Sequence, residues 1–247
     1  MPTLPKPSAS ALALVVAAAM SAAAAPAQAR TPPAGGPTQE LATLLTPHMV
    51  RTTPNGPAKG TTLPAWAPIT GAATVVPVVG HATASTGGRW LKVMLPGRPN
   101  SSTGWIAKPG TRTSATSWRM TLRTSTRKLR VYRRGRLVRI ISVVVGKPAT
   151  PTPTGRFFVE ESILMPRGHP GAPYALATSA RSNVLQEFEG GPGQIALHGV
   201  QNLGGTPGTA VSHGCVRLAD GPIRWLAARI SPGVPVTIVD GRAPRPQ

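Results

Sequence analysis

The single cysteine of the chain lies in a short segment whose residues could carry out nucleophilic chemistry. Cys215 is the only cysteine among 247 residues, and it stands in the stretch "TAVSHGCVRLADG" at 209–221. A thiol attacks acyl carbons as its thiolate, and because its reference pKa is about 8.5 it needs a base or a positive neighbour. It also needs N–H donors for the oxyanion that forms on the attacked carbonyl.

Four residues near Cys215 could supply these functions. His213 precedes it by two positions, Arg217 follows it by two, and His198 ends the apolar stretch "QIALHG", where a strand would fix its imidazole. Gly214 would let the backbone turn sharply and direct N–H groups outward. The alternative interpretation of Cys215 is a small buried hydrophobic residue, since free cysteines are commonly buried.

Residue order excludes several other cysteine or metal chemistries. Papain-like and NlpC/P60-like peptidases place the histidine after the cysteine, but no histidine follows Cys215 here. Sortases use a wider gap and a Thr-Cys motif. A zinc site would need paired ligands, which one cysteine and two nearby histidines do not provide. Ser212 lacks the G-x-S-x-G setting of a serine hydrolase. We therefore expect neither a metal nor another cofactor.

The pattern "HG…SHGCVRL" resembles the L,D-transpeptidase catalytic domain, the YkuD family, in which a histidine precedes a Ser/Thr-His-Gly-Cys-x-Arg/Asn segment. The stretches "TPTG" at 152–155 and "YALATSARSNVL" at 174–185 also resemble the family. The resemblance extends from about Trp118 to Val239. The matching motif positions are His198, Ser212, His213, Gly214, Cys215 and Arg217.

The resemblance implies a role for each of these positions. Cys215 would be the nucleophile, His198 the base that pairs with its sulfur, and the carbonyl of Gly199 the group that orients the imidazole. His213 would shape the pocket, and the backbone N–H groups of Gly214 and Cys215 would hold the oxyanion. The further positions implied for oxyanion or substrate binding are Ser212, Arg217 and Tyr174, and for Arg217 the resemblance also allows a role in structuring the site.

The same resemblance implies an exported peptidoglycan enzyme that forms 3→3 cross-links. Its cysteine acyl-enzyme would form on stem tetrapeptides during cell-wall biogenesis, and carbapenems would acylate the same thiol. Water as the acceptor would give L,D-carboxypeptidase activity instead. The alternative from another class is a catalytically inactive protein that binds the wall or a polyanion.

The charge of the chain favours an anionic partner. Lys and Arg number 27 and Asp and Glu number 7, which gives a formal net charge of +20. Aromatic residues make up only 4% and do not alternate with basic residues in a base-stacking pattern, so we do not expect nucleic-acid binding. Anionic wall polymers are the candidate polyanion. The alternative is a generally Arg-rich proteome with no selective partner.

The N-terminus predicts export. Residues 1–29 combine Lys6, the apolar run "ALALVVAAAM" at 11–20 and an A-x-A cleavage site ending at Ala29, which is typical of a signal peptide. A retained anchor is the alternative. No later stretch is apolar over about 18 residues, so we expect no integral membrane segment in the mature chain, which would reside in the cell envelope, periplasm or wall.

The rest of the chain predicts two mostly β domains. Residues 30–62, rich in Pro, Gly and Thr, are interpreted as a linker, and residues 241–247 as a tail. Residues 63–112 are expected to form a small all-β domain with a hairpin at 89–108. Its W…V…G-W-I pattern resembles a bacterial SH3-like module, and core packing is the favoured role of Trp90 and Trp105.

Residues 117–240 are expected to form the catalytic domain, a β-sandwich or barrel-like fold with one packed helix. A hairpin turning at Gly135 is expected near its start. Ile223, Leu226 and Ile230 recur at helical spacing after Asp220 or Gly221, either of which could cap the helix.

Overall fold

The fold was analysed in a computed structural model that describes Met1, residues 38–188 and residues 190–241. Apart from Met1, the predicted signal peptide lies outside the described residues, as does the tail beyond Gly241. Within the described ranges, no helix has the length and apolar character needed to cross a bilayer.

The first sheet contains seven strands, all paired antiparallel, in the order β3-β2-β6-β5-β4-β1-β7. Its core includes Val50, Leu91, Val93 and Ile106. The strands are β1 (Gln39–Leu44), β2 (His48–Arg51), β3 (Ala58–Leu63), β4 (Val75–Thr83), β5 (Arg89–Met94), β6 (Thr103–Ala107) and β7 (Thr111–Thr116).

The linker interpretation of residues 30–62 is wrong for the described part of that range. Strands β1, β2 and most of β3 fall inside it, and β1 lies in the sheet between β4 and β7. The Pro- and Gly-rich composition obscured these short strands, whose buried residues include Leu44 and Val50. The prolines of this part and Gly56 lie in the turns between the strands rather than in a flexible connection, and Gly60 lies within β3.

The hairpin expected at 89–108 is confirmed as β5 and β6, with Lys92 opposite Trp105 and Trp90 opposite Ala107. Both tryptophans are buried, which supports their packing role.

The second sheet contains eight strands in the order β10-β9-β8-β17-β12-β13-β14-β16. Neighbours pair antiparallel except for β17 with β8 and β14 with β16, which are parallel. The elements from β8 onward are β8 (Trp118–Arg123), β9 (Lys128–Arg133), β10 (Arg136–Ser142), β11 (Val145–Gly146), β12 (Gly155–Leu164), β13 (Tyr174–Arg181), β14 (Gln194–Gly199), β15 (Ala210–Ser212), β16 (Val216–Leu218), α1 (Asp220–Ala227) and β17 (Pro235–Val239). Short strands β11 and β15 pair separately in parallel. The expectation of a mostly β fold with one packed helix is confirmed for the described residues.

Helix α1 packs on the core face of this sheet through Ile223 and Leu226, which are fully buried. The predicted cap is wrong: Ala219 is the N-cap residue, and Asp220 is already the first helical residue. No side-chain hydrogen bond caps the helix, so burial of its apolar side rather than capping stabilises it.

The two sheets are joined by polar contacts and one shared apolar side chain. Arg98, in the β5–β6 connection, donates hydrogen bonds to the carbonyl oxygens of Ser182, Leu185 and Pro192. The buried carboxylate of Glu161 accepts hydrogen bonds from the backbone and hydroxyl of Thr70, both at 2.8 Å. Phe158 of β12 lies in the core of the first sheet. The first sheet therefore contacts the strand β12 and the segment that follows β13.

Candidate active site

Strands β14 and β16 bring the predicted nucleophile and base to one face of the second sheet. His198 lies opposite Arg217, and Leu197 lies opposite Val216. Leu197 and Val216 are buried in the core, so His198 and Arg217 project from the other face. Cys215 directly precedes β16, and its Sγ accepts a hydrogen bond from the N–H of Ala196 at 3.5 Å. Cys215 therefore stands opposite Ala196, two residues before His198 on the same face, and is the diagonal neighbour of His198.

The imidazole of His198 is held in one tautomer. Its Nδ1 lies 2.8 Å from the carbonyl oxygen of Gly199, which can only accept, so Nδ1 carries the proton and Nε2 keeps its lone pair. The backbone of Gly171 lies against the ring, since a Cβ there would stand 2.8 Å from Nδ1. The half-buried ring is therefore fixed in position and can accept a proton at Nε2.

Burial lowers the pKa of His198 below its ordinary value. The hydrogen bond to Gly199 opposes this by raising the pKa, and the nearby Arg217 guanidinium lowers it again. The net direction is downward, so the imidazole is neutral at pH 7 and able to act as a base.

A compact turn presents Cys215. The hydroxyl of the fully buried Ser212 donates to the carbonyl oxygen of Cys215 at 2.6 Å and accepts from the N–H of Gly214 at 3.2 Å. Gly214 has φ of +123°, a conformation that residues with a side chain rarely adopt. The serine and the glycine of "SHGC" thus form the turn, and Ser212 is a structural rather than a substrate-contacting residue.

The expected oxyanion donors need one correction. The N–H of Gly214 is engaged by Ser212 Oγ inside the turn, so in this structure it does not point toward an acyl oxygen. The sequence pattern could not reveal this contact, because it depends on the closure of the turn by a buried hydroxyl.

Residues 147–152 fix this turn in place through hydrogen bonds. The hydroxyl of Thr152 donates to the carbonyl oxygen of Gly214 at 2.7 Å and accepts from the N–H of Gly146 at 2.9 Å. The N–H of Lys147 donates to the carbonyl oxygen of Ser212 at 2.9 Å. The proline-rich connection therefore positions the nucleophile, a role that its turn-forming composition alone did not indicate.

Replacing Thr152 with valine is expected to loosen the cysteine turn. Valine keeps the shape but leaves a buried carbonyl and a buried N–H without their partner, which should lower the free energy of unfolding by about 1–3 kcal/mol. Urea denaturation measures the stability, and the rate of Cys215 alkylation by iodoacetamide measures the turn. The exposed neighbour Thr154 provides the matched control, for which Thr154→Val should change stability by less than about 0.5 kcal/mol. Equal effects of the two substitutions would contradict the role of Thr152.

His213 lies at the rim of the site rather than inside it. Its exposed ring stacks on Phe188, with ring centroids 5.7 Å apart, and its Nε2 lies 3.4 Å from Nζ of Lys147. This placement fits a residue that shapes the entrance. Phe188 and Lys147 are additional rim residues that the sequence patterns did not identify, since neither belongs to the motif around Cys215.

Arg217 is tied to the loop at 200–209. Its guanidinium donates to the carbonyl oxygen of Gly204, while its backbone N–H and C=O bond to Val144. These contacts favour the structural role that the resemblance allowed for it.

Tyr174 does not join the site directly. Its neighbour Ala175 lies opposite His198, so strand alternation places the Tyr174 side chain on the other face of the sheet. Its half-buried ring packs against the core. The expected contact of Tyr174 with substrate is therefore not supported by its position.

The molecule combines a mostly β scaffold with a histidine on β14 and a cysteine that directly precedes the adjacent strand β16. The model of the L,D-transpeptidase catalytic domain, YkuD, matches residues 118–238. A Bacillus licheniformis protein named "Putative L,D-transpeptidase YkuD" is 33% identical over 134 residues, which cover 54% of this chain and 73% of that protein. The chain belongs to the YkuD family of L,D-transpeptidases.

Solved structures give weaker similarities. An L,D-transpeptidase from Mycobacterium smegmatis is 18% identical, with 78% of this chain and all of that chain covered and a TM-score of 0.40. One from Mycobacterium tuberculosis is also 18% identical, with 67% and 90% covered and a TM-score of 0.41.

Proposed function

We propose that this protein is an exported peptidoglycan L,D-transpeptidase that forms 3→3 cross-links through an acyl-enzyme on Cys215. The observation that carries the proposal is the placement of Cys215 beside His198, whose Nδ1 proton is held by the Gly199 carbonyl. The neutral Nε2 can then take the thiol proton. Membership of the family supplies the substrate class, the stem peptides of peptidoglycan.

In the first half-reaction, Nε2 of His198 takes the proton of the Cys215 thiol, and the sulfur attacks the carbonyl of the third residue of a donor tetrapeptide. A C–S bond forms and the C–N bond to the terminal D-alanine breaks. The proton on His198 passes to the leaving amine. The products are a thioester on Cys215 and free D-alanine.

In the second half-reaction, the side-chain amine of an acceptor stem attacks the thioester carbonyl. The C–N bond of the cross-link forms, the C–S bond breaks, and the amine proton returns through His198 to the sulfur. The rim contributes to substrate selection, because the ammonium of Lys147 beside His213 can attract the carboxylate of the donor stem.

The test uses purified disaccharide-tetrapeptide as both donor and acceptor, with products read by mass spectrometry. We expect release of D-alanine together with a 3→3 dimer, and neither product with Cys215→Ala. Release of D-alanine without dimer would assign an L,D-carboxypeptidase instead. An intact, alkylatable Cys215 with no acyl-enzyme from any stem peptide would favour a binding protein and overturn the proposal.

Export forms part of the proposal and rests on residues 1–29, which lie almost entirely outside the described ranges. Sequencing the N-terminus of the protein recovered from the cell envelope tests it. A mature chain that begins close to residue 30 is expected, whereas an unprocessed chain retained in the cytoplasm would contradict it.

A further inference from the structure

At the end farthest from Cys215, one face of the second sheet carries basic side chains in place of core residues. Met120 and Leu122 of β8 and Leu129 and Val131 of β9 point into the core, so the residues between them project from the opposite face. That face carries long basic side chains that are only half-buried. We call it the cationic face and define it by Arg119, Arg123, Lys128 and Arg130.

Strand register arranges these charges as an array rather than a line. Arg123 lies opposite Lys128, and Arg119, four residues earlier in β8, lies opposite Tyr132. Between these two rows a third crosses four neighbouring strands and consists of Arg156, Thr237, Thr121 and Arg130. Strands lie about 4.8 Å apart and alternate residues about 6.7 Å apart, so the array offers several anchoring points to one extended ligand.

The array has little opposing charge. Strands β8, β9, β10 and β17 contain no Asp or Glu. Asp240, just after β17, accepts a hydrogen bond from the Thr124 hydroxyl at the end of the array. Lys128 donates to the neutral hydroxyl of Ser142, which leaves its charge in place. In β12, which contributes Arg156, the carboxylate of Glu160 forms an ion pair with Arg181.

The chemistry of the face favours a flexible phosphodiester polymer over nucleic acid or lipid. Its aromatic ring, Tyr132, is half-buried and has one face covered by the Arg119 guanidinium at 4.7 Å, so this surface presents one ring rather than the row of rings on which successive bases stack. The exposed apolar side chains beside it are Leu137, Val138 and Ile140 of the edge strand β10, too few to anchor the protein in a bilayer. Guanidinium groups match the two free oxygens of a phosphodiester.

We propose that the cationic face binds a linear, base-free phosphodiester polymer. Strand β8 is separated from β16 by β17, β12, β13 and β14, which corresponds to about 24 Å of sheet. A polymer bound on this face therefore leaves the rim around Cys215 open. The proposal concerns this surface alone and does not rest on the chemistry proposed for Cys215.

Binding of fluorescently labelled poly(glycerol phosphate), followed by anisotropy between 0.05 and 0.3 M NaCl, tests the proposal. The double variant Arg123→Gln/Arg130→Gln should weaken binding about tenfold at 0.1 M NaCl and reduce the salt dependence by about 1.5 units of slope in log K against log salt. The matched control Arg89→Gln/Arg112→Gln removes the same charge from exposed positions of β5 and β7 and should change affinity less than about twofold.

A charge-preserving variant separates binding from folding. Arg123→Lys/Arg130→Lys should retain most of the affinity, and all three double variants should melt as the parent chain does. If the face variant and the control variant weaken polymer binding equally, the affinity depends on net charge alone and the proposal is overturned. So would tighter binding of a single-stranded oligonucleotide, of polyglutamate or of phosphatidylglycerol vesicles than of poly(glycerol phosphate) at matched anionic charge.

Discussion

Replacement of Cys215 with alanine is expected to abolish covalent chemistry in this protein. The chain has no second thiol, so nothing can substitute for the nucleophile, and transpeptidation should fall by a factor on the order of 10⁶. A carbapenem presents a strained acyl carbon that Cys215 should attack as it attacks the donor stem. Intact-mass analysis should therefore show one carbapenem on the parent chain and none on Cys215→Ala.

The control for this experiment is Ser212→Ala, which leaves the thiol but removes the hydroxyl that closes the turn. It should still form the adduct, although more slowly, because the turn loses two hydrogen bonds while the nucleophile remains. An adduct that persists on Cys215→Ala would place the acylated group elsewhere and remove the basis of the proposed mechanism.

Replacement of His198 with glutamine is expected to slow acylation of Cys215 by about 10²–10⁴-fold. Glutamine can still bond to the Gly199 carbonyl but cannot take a proton. In the parent chain, burial lowers the pKa of His198 below its ordinary value of 6.5, so the imidazole is neutral at pH 7 and the acylation rate is at its full value there. The rate should fall only below pH 6.5, where the imidazole becomes protonated. Stopped-flow measurement of carbapenem consumption from pH 4.5 to 8 gives the acylation rate and its decrease at low pH, the acid limb of the profile.

Two variants sharpen the assignment. His81→Gln, in the first sheet, should keep both the rate and the acid limb. Arg217→Gln removes a positive charge that lowers the pKa of His198, so its acid limb should move toward higher pH. Because the thiol and the imidazole titrate as a pair, the limb reports an apparent value for both groups. An acid limb unchanged in His198→Gln would exclude His198 as the base.

The chemistry of the site was more visible in the sequence than its scaffold. The resemblance of "HG…SHGC" to the family marked His198 and Cys215 as the expected base and nucleophile, and the parallel pairing of β14 with β16 places the two residues close together. Hydrogen bonds made through closed turns were not predictable. Thr152 was noted only as the first residue of the "TPTG" stretch, yet its hydroxyl bonds to the carbonyl oxygen of Gly214, 62 residues away in sequence.

The fold class followed from short β-rich runs and from the family resemblance, but strand boundaries did not. The hairpin of β5 and β6 was predictable because two β-rich runs flank the turn-rich stretch "PGRPNSSTG". Strands β1 to β3 were not, because the turns around them are rich in proline, glycine and threonine and the whole stretch is therefore typical of a linker. Their buried residues nevertheless include Leu41, Leu44, Val50 and Leu63. In such strands the pairing partners supply the stability, and those partners are distant in the sequence.

The contacts of Arg98 have a consequence for where this protein can be divided. Arg98 holds the carbonyls of the segment at 182–192, and that segment carries Phe188, against which His213 stacks. The stretch recognisable as the family domain, 118–238, therefore owes part of its entrance to residues that precede it. The family domain is therefore shorter than the unit that holds the site entrance in place. A fragment cut at residue 118 would lose the hydrogen bonds from Arg98 that support the segment carrying Phe188.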